Sequence, residues 1–322
     1  MMRIRVVSTA AHTDHIVELL RHDSAISNVV VQRGISVKPR GDVIEADVAR
    51  EGVNEIVDEL LAMGIHQSGT IQLADVPTWM SQNGLDADRM TPGAGPDAVV
   101  WSEVTQTAYE DSEFNWTFVS FMFLATVLSS IAILLNSTIL LIGAMVLGPE
   151  FGAVAALGVA MVRRRLSLLR RAVTTLVAGF VIAILATTIL ALIVRGLGWI
   201  SVSDVVESRP DTAFIYTPDR WSFIVAVLAG AAGVLSLTAN KLGGLSGVFI
   251  SVTTIPAAGN VALGITFGLG DTIIGSSVQL LVNLAGMAVA GWLTLLVQQA
   301  SWGKASAYRA RLLKNRLRRG RR

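Results

Sequence analysis

The sequence predicts a polytopic α-helical membrane domain, six helices arranged as a 3+3 inverted repeat, preceded by a small α+β ferredoxin-like domain. Three observations carry this. The chain has 322 residues, 52% hydrophobic and only 16% charged, where a soluble protein carries about 25% charged residues. The deficit is local: residues 1–115 read as an ordinary soluble sequence, while 117–298 are mostly Leu, Ile, Val, Ala and Gly. Two compositions in one chain imply two solvents. Finally, strand and helix periodicities alternate in the order βαββαβ before the first apolar block, the order of a ferredoxin-like domain.

The N-terminal elements follow from spacing. Residues 2–8 alternate as a strand, and 13–22 carry apolar positions at helical spacing, opened by Thr13 or Asp14 as a cap. Residues 28–38 and 43–49 alternate again around the turn signal Pro39, Arg40, Gly41 and Asp42. Residues 51–63 form a second amphipathic helix stopped by Gly64, and 65–74 give a last strand. The domain is taken as 1–75. Residues 76–96, with Pro77, Gly84, Pro92, Gly93, Gly95 and Pro96, read as a linker. Residues 97–115 are amphipathic and predict a helix at the membrane surface, or equally one packed on the N-terminal domain.

The membrane domain is taken as 116–298, with apolar blocks at 117–135, 138–162, 172–194, 221–239, 245–269 and 272–297. Each is long enough for a helix of about 20 residues to cross the hydrocarbon core. Trp116, Trp199, Trp221, Trp292 and Trp302 lie at or near block ends, where amphipathic rings favour the interface. Arg163, Arg164, Arg165, Arg170 and Arg171 follow the second block, and the tail 299–322 is rich in Lys and Arg. Both segments predict cytoplasmic placement, and an even helix count puts both termini there. The loop 195–220 then lies outside, with Arg195 in mild tension with the rule. The start, MMRIRVVSTA, has no apolar core, so no cleavable signal peptide is expected. The chain has no Cys, which excludes disulfides, thiolate metal sites and cysteine nucleophiles.

The second and fifth blocks look alike. Each has a proline near its middle, Pro149 and Pro256, then a similar run, AALGVA (155–160) and VALGIT (261–266), and each follows a helix ending in Asn, Asn136 and Asn240. Three helices leave the chain on the opposite side, so a second copy is inverted. Matching interrupted helices in inverted repeats mark the substrate sites of secondary transporters. A bland reading stands beside this: prolines also kink packed helices.

Glu150 is the sharpest candidate site residue. A carboxylate inside an apolar block costs a few kcal/mol or more unless compensated. It can bind a cation, relay a proton or pair with an arginine, or instead sit in a wet vestibule. Thr253, Thr254 and Asn260 flank Pro256, and Asn136 and Ser137 open the second block. Gln279 and Asn283 lie one turn apart on one face of the sixth helix, lining a polar path or making interhelical hydrogen bonds. His15 and His22 are two turns apart, but solvated surface positions explain them more simply than a metal. Neither a Walker loop, a dinucleotide fingerprint, HExxH nor GxSxG is present, so no enzymatic activity, metal or cofactor is expected.

The run NSTILLIGAMVLGPEFGAV (136–154) resembles the core motif of a prokaryotic family of hydrophobic membrane proteins, domain of unknown function 389. Trp101, the acidic stretch Glu110–Glu113 and the first helix are also similar, so the resemblance covers about 97–298. It implies the membrane fold, a prokaryotic cytoplasmic membrane and a frequent cytoplasmic domain ahead of the helices, but no activity. The family pattern implies an apolar residue where this chain has Glu150.

The functional expectation is a secondary transporter or ion-coupled carrier for a small solute or ion, with its site near Pro149 and Pro256. Two alternatives stay open: a membrane-anchored ligand sensor or regulatory scaffold, and an oligomeric channel. Expected partners are the bilayer, anionic lipids at the basic tail and, from small-residue seams such as Gly148 and Gly152, a second copy of the chain. Nucleic acid is not expected.

Overall fold

A computed structural model describes residues 1–91, 98–206, 220–239 and 254–319. The chain divides into two compact units: Met1–Val104 with Gln298–Arg322, and Thr105–Val297.

In the first unit the strands β1 (Met2–Ser8), β2 (Ile26–Val37), β3 (Arg40–Val48) and β4 (Thr70–Asp75) form one sheet of order β2-β3-β1-β4, antiparallel throughout. The two-residue period puts Met2, Ile4 and Val6 of β1 inside and Arg3 and Arg5 outside. Helices α1 (Ala10–His22) and α2 (Val53–Ala62) cover the inner face with Ile16, Leu20, Val53, Ile56 and Leu60, which join the strand residues in one core.

Several details differ from the sequence reading. Helix α1 begins at Ala10, one turn early, so neither Thr13 nor Asp14 caps it. Thr13 is buried instead and donates its hydroxyl to Asp42 Oδ2 at 2.7 Å. Residues Ile65–Ser68 form a helical turn, α3, because Gly64 takes a left-handed φ of 74°. Gln82–Met90, read as linker, is a helix, α4, capped by Ser81 Oγ, which accepts from the Gly84 N–H at 3.1 Å. The apolar period misses α4 because its buried residues are the small Gly84 and Ala87.

Asp42 braces an irregular stretch of β2, where the register slips between Gln32 and Ser36 and Gly34 has φ 69°. It accepts from Thr13 and from the Gly34 N–H at 2.7 Å, and these bonds hold its carboxyl below the usual carboxylate value, Thr13 foremost. A depressed folded-state pKa adds stability that is present above the unfolded value of about 3.9 and is lost as pH falls through the folded value. The protection factors of the β1 and β3 amides, taken against the intrinsic exchange rate at each pH, are therefore expected to fall on acidification below about pH 4. Thr13→Val is expected to exchange faster already at pH 7 and to respond less to acid; an unchanged acid response would refute the assignment to Asp42.

Helix α5 (Trp101–Asp111) corresponds to the predicted 97–115 helix. Its start is anchored within the first unit: Asn54 donates to Val99 O at 2.7 Å and accepts from the Trp101 N–H at 3.0 Å, Arg50 pairs with Glu103 at 2.8 Å, and Val100 enters the core.

The second unit is helical: α6 (Trp116–Leu134), α7 (Thr138–Leu147), α8 (Glu150–Val162), α9 (Leu166–Gly196), the short α10 (Val202–Val206), α11 (Arg220–Ala239), α12 (Ile255–Phe267) and α13 (Gly270–Arg319). Helix α13 runs on past this unit. Among the described residues, α6, α9 and Gly270–Ser301 of α13 are long and apolar enough to cross a membrane. Helices α7 and α8 make a fourth candidate if their 57° bend lies within one span. The 13-residue α8 and α12 rise about 20 Å each, short of a bilayer core of about 30 Å.

Large apolar side chains are exposed along α6 and α9. Helix α6 buries Ala125, Thr126, Ser129 and Ser130 and exposes Phe121, Leu124 and Ile131; α9 buries Thr175, Gly179 and Thr188 and exposes Val177, Val181, Leu185 and Ile189. Both helices also bury large residues, Met122 and Ile133 on α6 and Leu176 and Phe180 on α9, but the exposed large apolar side chains suit a lipid surround, and the buried small and hydroxylated ones suit close helix packing within it. Three helices long and apolar enough to cross a membrane suggest a membrane protein.

Candidate functional site

Helix α7 stops at Leu147 because Gly148 turns to extended backbone, and α8 restarts with Pro149 as its N-cap. Proline at a helix start loses no intrahelical donor. Pro256 sits likewise in the first turn of α12. Neither proline interrupts a described helix: both mark starts. The chain before Thr254, and with it the predicted break of the fifth span, lies outside the described residues.

Glu150, the first residue of α8, is fully buried, and its Oε1 accepts the Thr254 hydroxyl at 2.7 Å from the N-cap position of α12. A hydrogen bond between residues 104 apart in sequence thus joins the two helix starts. The unpaired N–H groups and dipole at the start of α8 also favour a carboxylate there.

A second buried polar group continues along α12 and α13. Asn260 Nδ2 donates to Ser276 Oγ at 2.9 Å, and Gln279 Nε2 donates to Asn283 Oδ1 at 3.4 Å, with all four residues buried. Ser276, Gln279 and Asn283 form one stripe at helical spacing, so Ser276 was visible in principle one turn before Gln279. Hydroxyls from neighbouring helices reach the backbone of α12: Ser130 donates to Gly259 O at 3.2 Å and Thr188 to Ala262 O at 3.4 Å. Arg195 Nη1 donates to Thr266 O at 2.6 Å and lies 5.1 Å from the Phe267 ring, at the negative end of the helix dipole.

The other candidates lie elsewhere. Asn136 takes a left-handed φ of 44°, with its N–H on Ile133 O and the Ser137 N–H on Ala132 O, a Schellman closure of α6. Ser137 then caps α7, accepting from the Leu140 N–H at 3.3 Å. Both residues build the corner between α6 and α7. Thr253 lies outside the described residues.

Sequence reasoning overlooked Asp111. Its carboxylate lies against Gly152 in the first turn of α8, where a Cβ on residue 152 would come within 2.7 Å of Asp111 Cγ. Desolvation, and secondarily Glu110, push its carboxyl above the usual carboxylate value, although the residue remains partly exposed. The only advance signal was its place in the acidic stretch Glu110–Glu113. Nearby, Tyr109 shares a hydrogen bond of 2.6 Å with Ser167, and Arg171 pairs with Glu113 at 3.2 Å.

Helices long and apolar enough to cross a membrane, with a buried carboxylate between two helix starts, suggest a membrane protein with polar groups in its interior. Residues 145–289 match the model of a family described as Domain of unknown function (DUF389), which bears out the resemblance read from 136–154 over a shorter stretch than 97–298. Uncharacterized protein MJ0678 of Methanocaldococcus jannaschii is 25% identical over 189 residues, 59% of this chain and 56% of that protein. The matched part thus spans little more than half of that relative. No solved structure matches the chain.

Proposed function

We propose that the membrane domain is a secondary transporter or ion-coupled carrier for a small solute or ion, with its site where α8 and α12 start. The observation that carries this reading is the bond between the Thr254 hydroxyl and the buried Glu150 carboxylate. Polar side chains buried among membrane helices are costly and mark substrate or ion pathways, and paired helix starts are how transporters of inverted-repeat design build their sites.

Six spans in two inverted sets of three are part of the proposal. In its favour, α8 and α12 each have 13 residues, each have a proline at the N-cap or in the first turn, and are each followed within two residues by a left-handed residue, Arg164 or Gly268. A long helix follows each, α9 or α13. Helix α12 packs on α6 and α9, while α8 packs on α11 and, through Gly158, on Gly291 of α13. Each short helix therefore touches both flanking helices of the other set. The strand order of the N-terminal sheet likewise favours a ferredoxin-like domain, with a regulatory or oligomerising role.

The remaining assignments rest on charge and composition: a prokaryotic cytoplasmic membrane, cytoplasmic termini, a basic tail on anionic lipid and a homo-oligomer. A reporter fused at residue 205 is expected to read external and one at 167 cytoplasmic; the reverse would overturn the orientation. The functional test is uptake into proteoliposomes of monovalent and divalent cations, small carboxylates and zwitterions, with and without proton or sodium gradients. Flux above empty liposomes for at least one of these is expected. None for any would overturn the transporter reading.

A further inference from the structure

The first unit contains a cleft of about 400 Å³ between the outer face of the sheet and the segment leading into α4. That volume is in the range of small-molecule sites. Arg3, Ser27, Asn28 and Asp47 supply the sheet side, and Trp79 and Asn83 the opposite side. The segment is held in place: the Val76 N–H bonds Met1 O at 3.2 Å, and the Trp79 ring is seated against Gly84, where a Cβ would lie 2.7 Å from Cζ3.

The charge chemistry restricts the ligand. Asp47 takes one edge of the Arg3 guanidinium, Nε at 2.8 Å and Nη2 at 3.3 Å, and also accepts from Asn28 Nδ2 at 3.4 Å. Both Asp47 oxygens are thereby engaged, the Arg3 guanidinium is oriented by two bonds, and the pair is electrically neutral. Among the described residues no protein acceptor takes Arg3 Nη1, so the Nη1–Nη2 edge remains as a second fork. A fixed guanidinium edge matches two adjacent acceptors on a planar group. Its charge is already balanced, so a phosphate is not called for. Trp79 offers a surface for an aromatic ring, and the Asn83 amide and the Asn28 carbonyl offer further polar contacts.

We propose that this cleft binds a neutral purine nucleoside of the guanine type, its ring against Trp79 and its O6 and N7 on the free edge of Arg3, the commonest arginine–base pairing. The site is independent of the transporter reading, because every group in it belongs to the N-terminal unit.

The test is equilibrium dialysis of the full-length protein in detergent with guanosine, adenosine and guanosine monophosphate. Saturable guanosine binding is expected. Arg3→Lys keeps the charge and loses the fork, and is expected to weaken binding about tenfold or more. Adenosine, whose N6 amino group would face the arginine donors, is expected to bind at least about tenfold less tightly. Trp79→Leu leaves the Arg3–Asp47 pair intact and is expected to weaken binding comparably, so the proposal stays testable if Arg3→Lys disturbs the sheet. No saturable guanosine binding up to millimolar concentration overturns it, as does an affinity that Trp79→Leu leaves unmoved. Equal or tighter binding of adenosine or the monophosphate also overturns it.

Discussion

Glu150→Gln is expected to abolish flux in proteoliposomes while leaving thermal stability at or above that of the wild type. The wild-type carboxylate is fully buried and accepts the Thr254 hydroxyl. Desolvating a carboxylate costs several kcal/mol. The Thr254 hydroxyl and the first turn of α8 are among the contacts that offset that cost. Glutamine has nearly the same volume and can still accept from Thr254 through its amide oxygen, so the packing survives and the desolvation cost disappears. What it lacks is charge and an exchangeable proton, the two properties that a coupling or cation-binding group needs. Thr254→Val does the opposite: the carboxylate stays and loses a donor, with an expected loss of about 1–3 kcal/mol of stability and a partial loss of flux. A purely structural carboxylate would reverse the first result, with Glu150→Gln less stable and flux intact. Melting temperature and flux measured on the same preparations separate the two roles.

The contact between Glu150 and Thr254 joins residues from widely separated segments, and its legibility in sequence was uneven. Glu150 stood out because a charge in an apolar block has few bland explanations. Thr254 stood out only through its nearness to Pro256, and nothing in sequence spacing says that two helix starts meet. The prolines were legible as interruptions but not as starts: residue type shows that a donor is missing, whereas the neighbouring turn decides whether anything is lost. Asn136 attracted attention as a polar residue at a block boundary, and its actual role is a left-handed helix closure, a backbone property shared with Arg164 and Gly268. Asp111 was hidden because its partner is Gly152, which has no side chain to signal a contact. The soluble domain was clearer, since period-2 and period-3.6 patterns report directly on a two-sided sheet and its helices. Where its pattern failed, at α4, the buried residues were Gly and Ala, which carry almost no hydrophobic signal.

Small residues also mark close helix approaches in the second unit. Gly230→Ala on α11 is expected to lower stability by about 1–3 kcal/mol, an overpacking penalty, even though alanine is intrinsically the better helix former by about 1 kcal/mol. A Cβ on residue 230 would lie 2.8 Å from Met287 Cα and 3.0 Å from its carbonyl carbon, closer than packed carbon atoms come. The obstacle is backbone on α13, which cannot rotate away as a side chain would. One turn further along α13 the fit is as close: a Cβ on residue 291 would lie 2.8 Å from Val234 Cγ2 of α11, and one on residue 158 of α8 would lie 3.2 Å from the Gly291 carbonyl carbon, so shifting α13 to relieve one contact tightens another. Gly143→Ala on α7 is the matched control: its Cβ would meet only Leu128 Cδ2, at 4.0 Å, and alanine there is expected to be neutral or stabilising. Thermal unfolding in detergent should therefore show Gly230→Ala several degrees below the wild type and Gly143→Ala at or above it. Should Gly230→Ala melt with the control, the backbones of α11 and α13 are not in contact, and the packing of the second set of helices around α8 has to be redrawn.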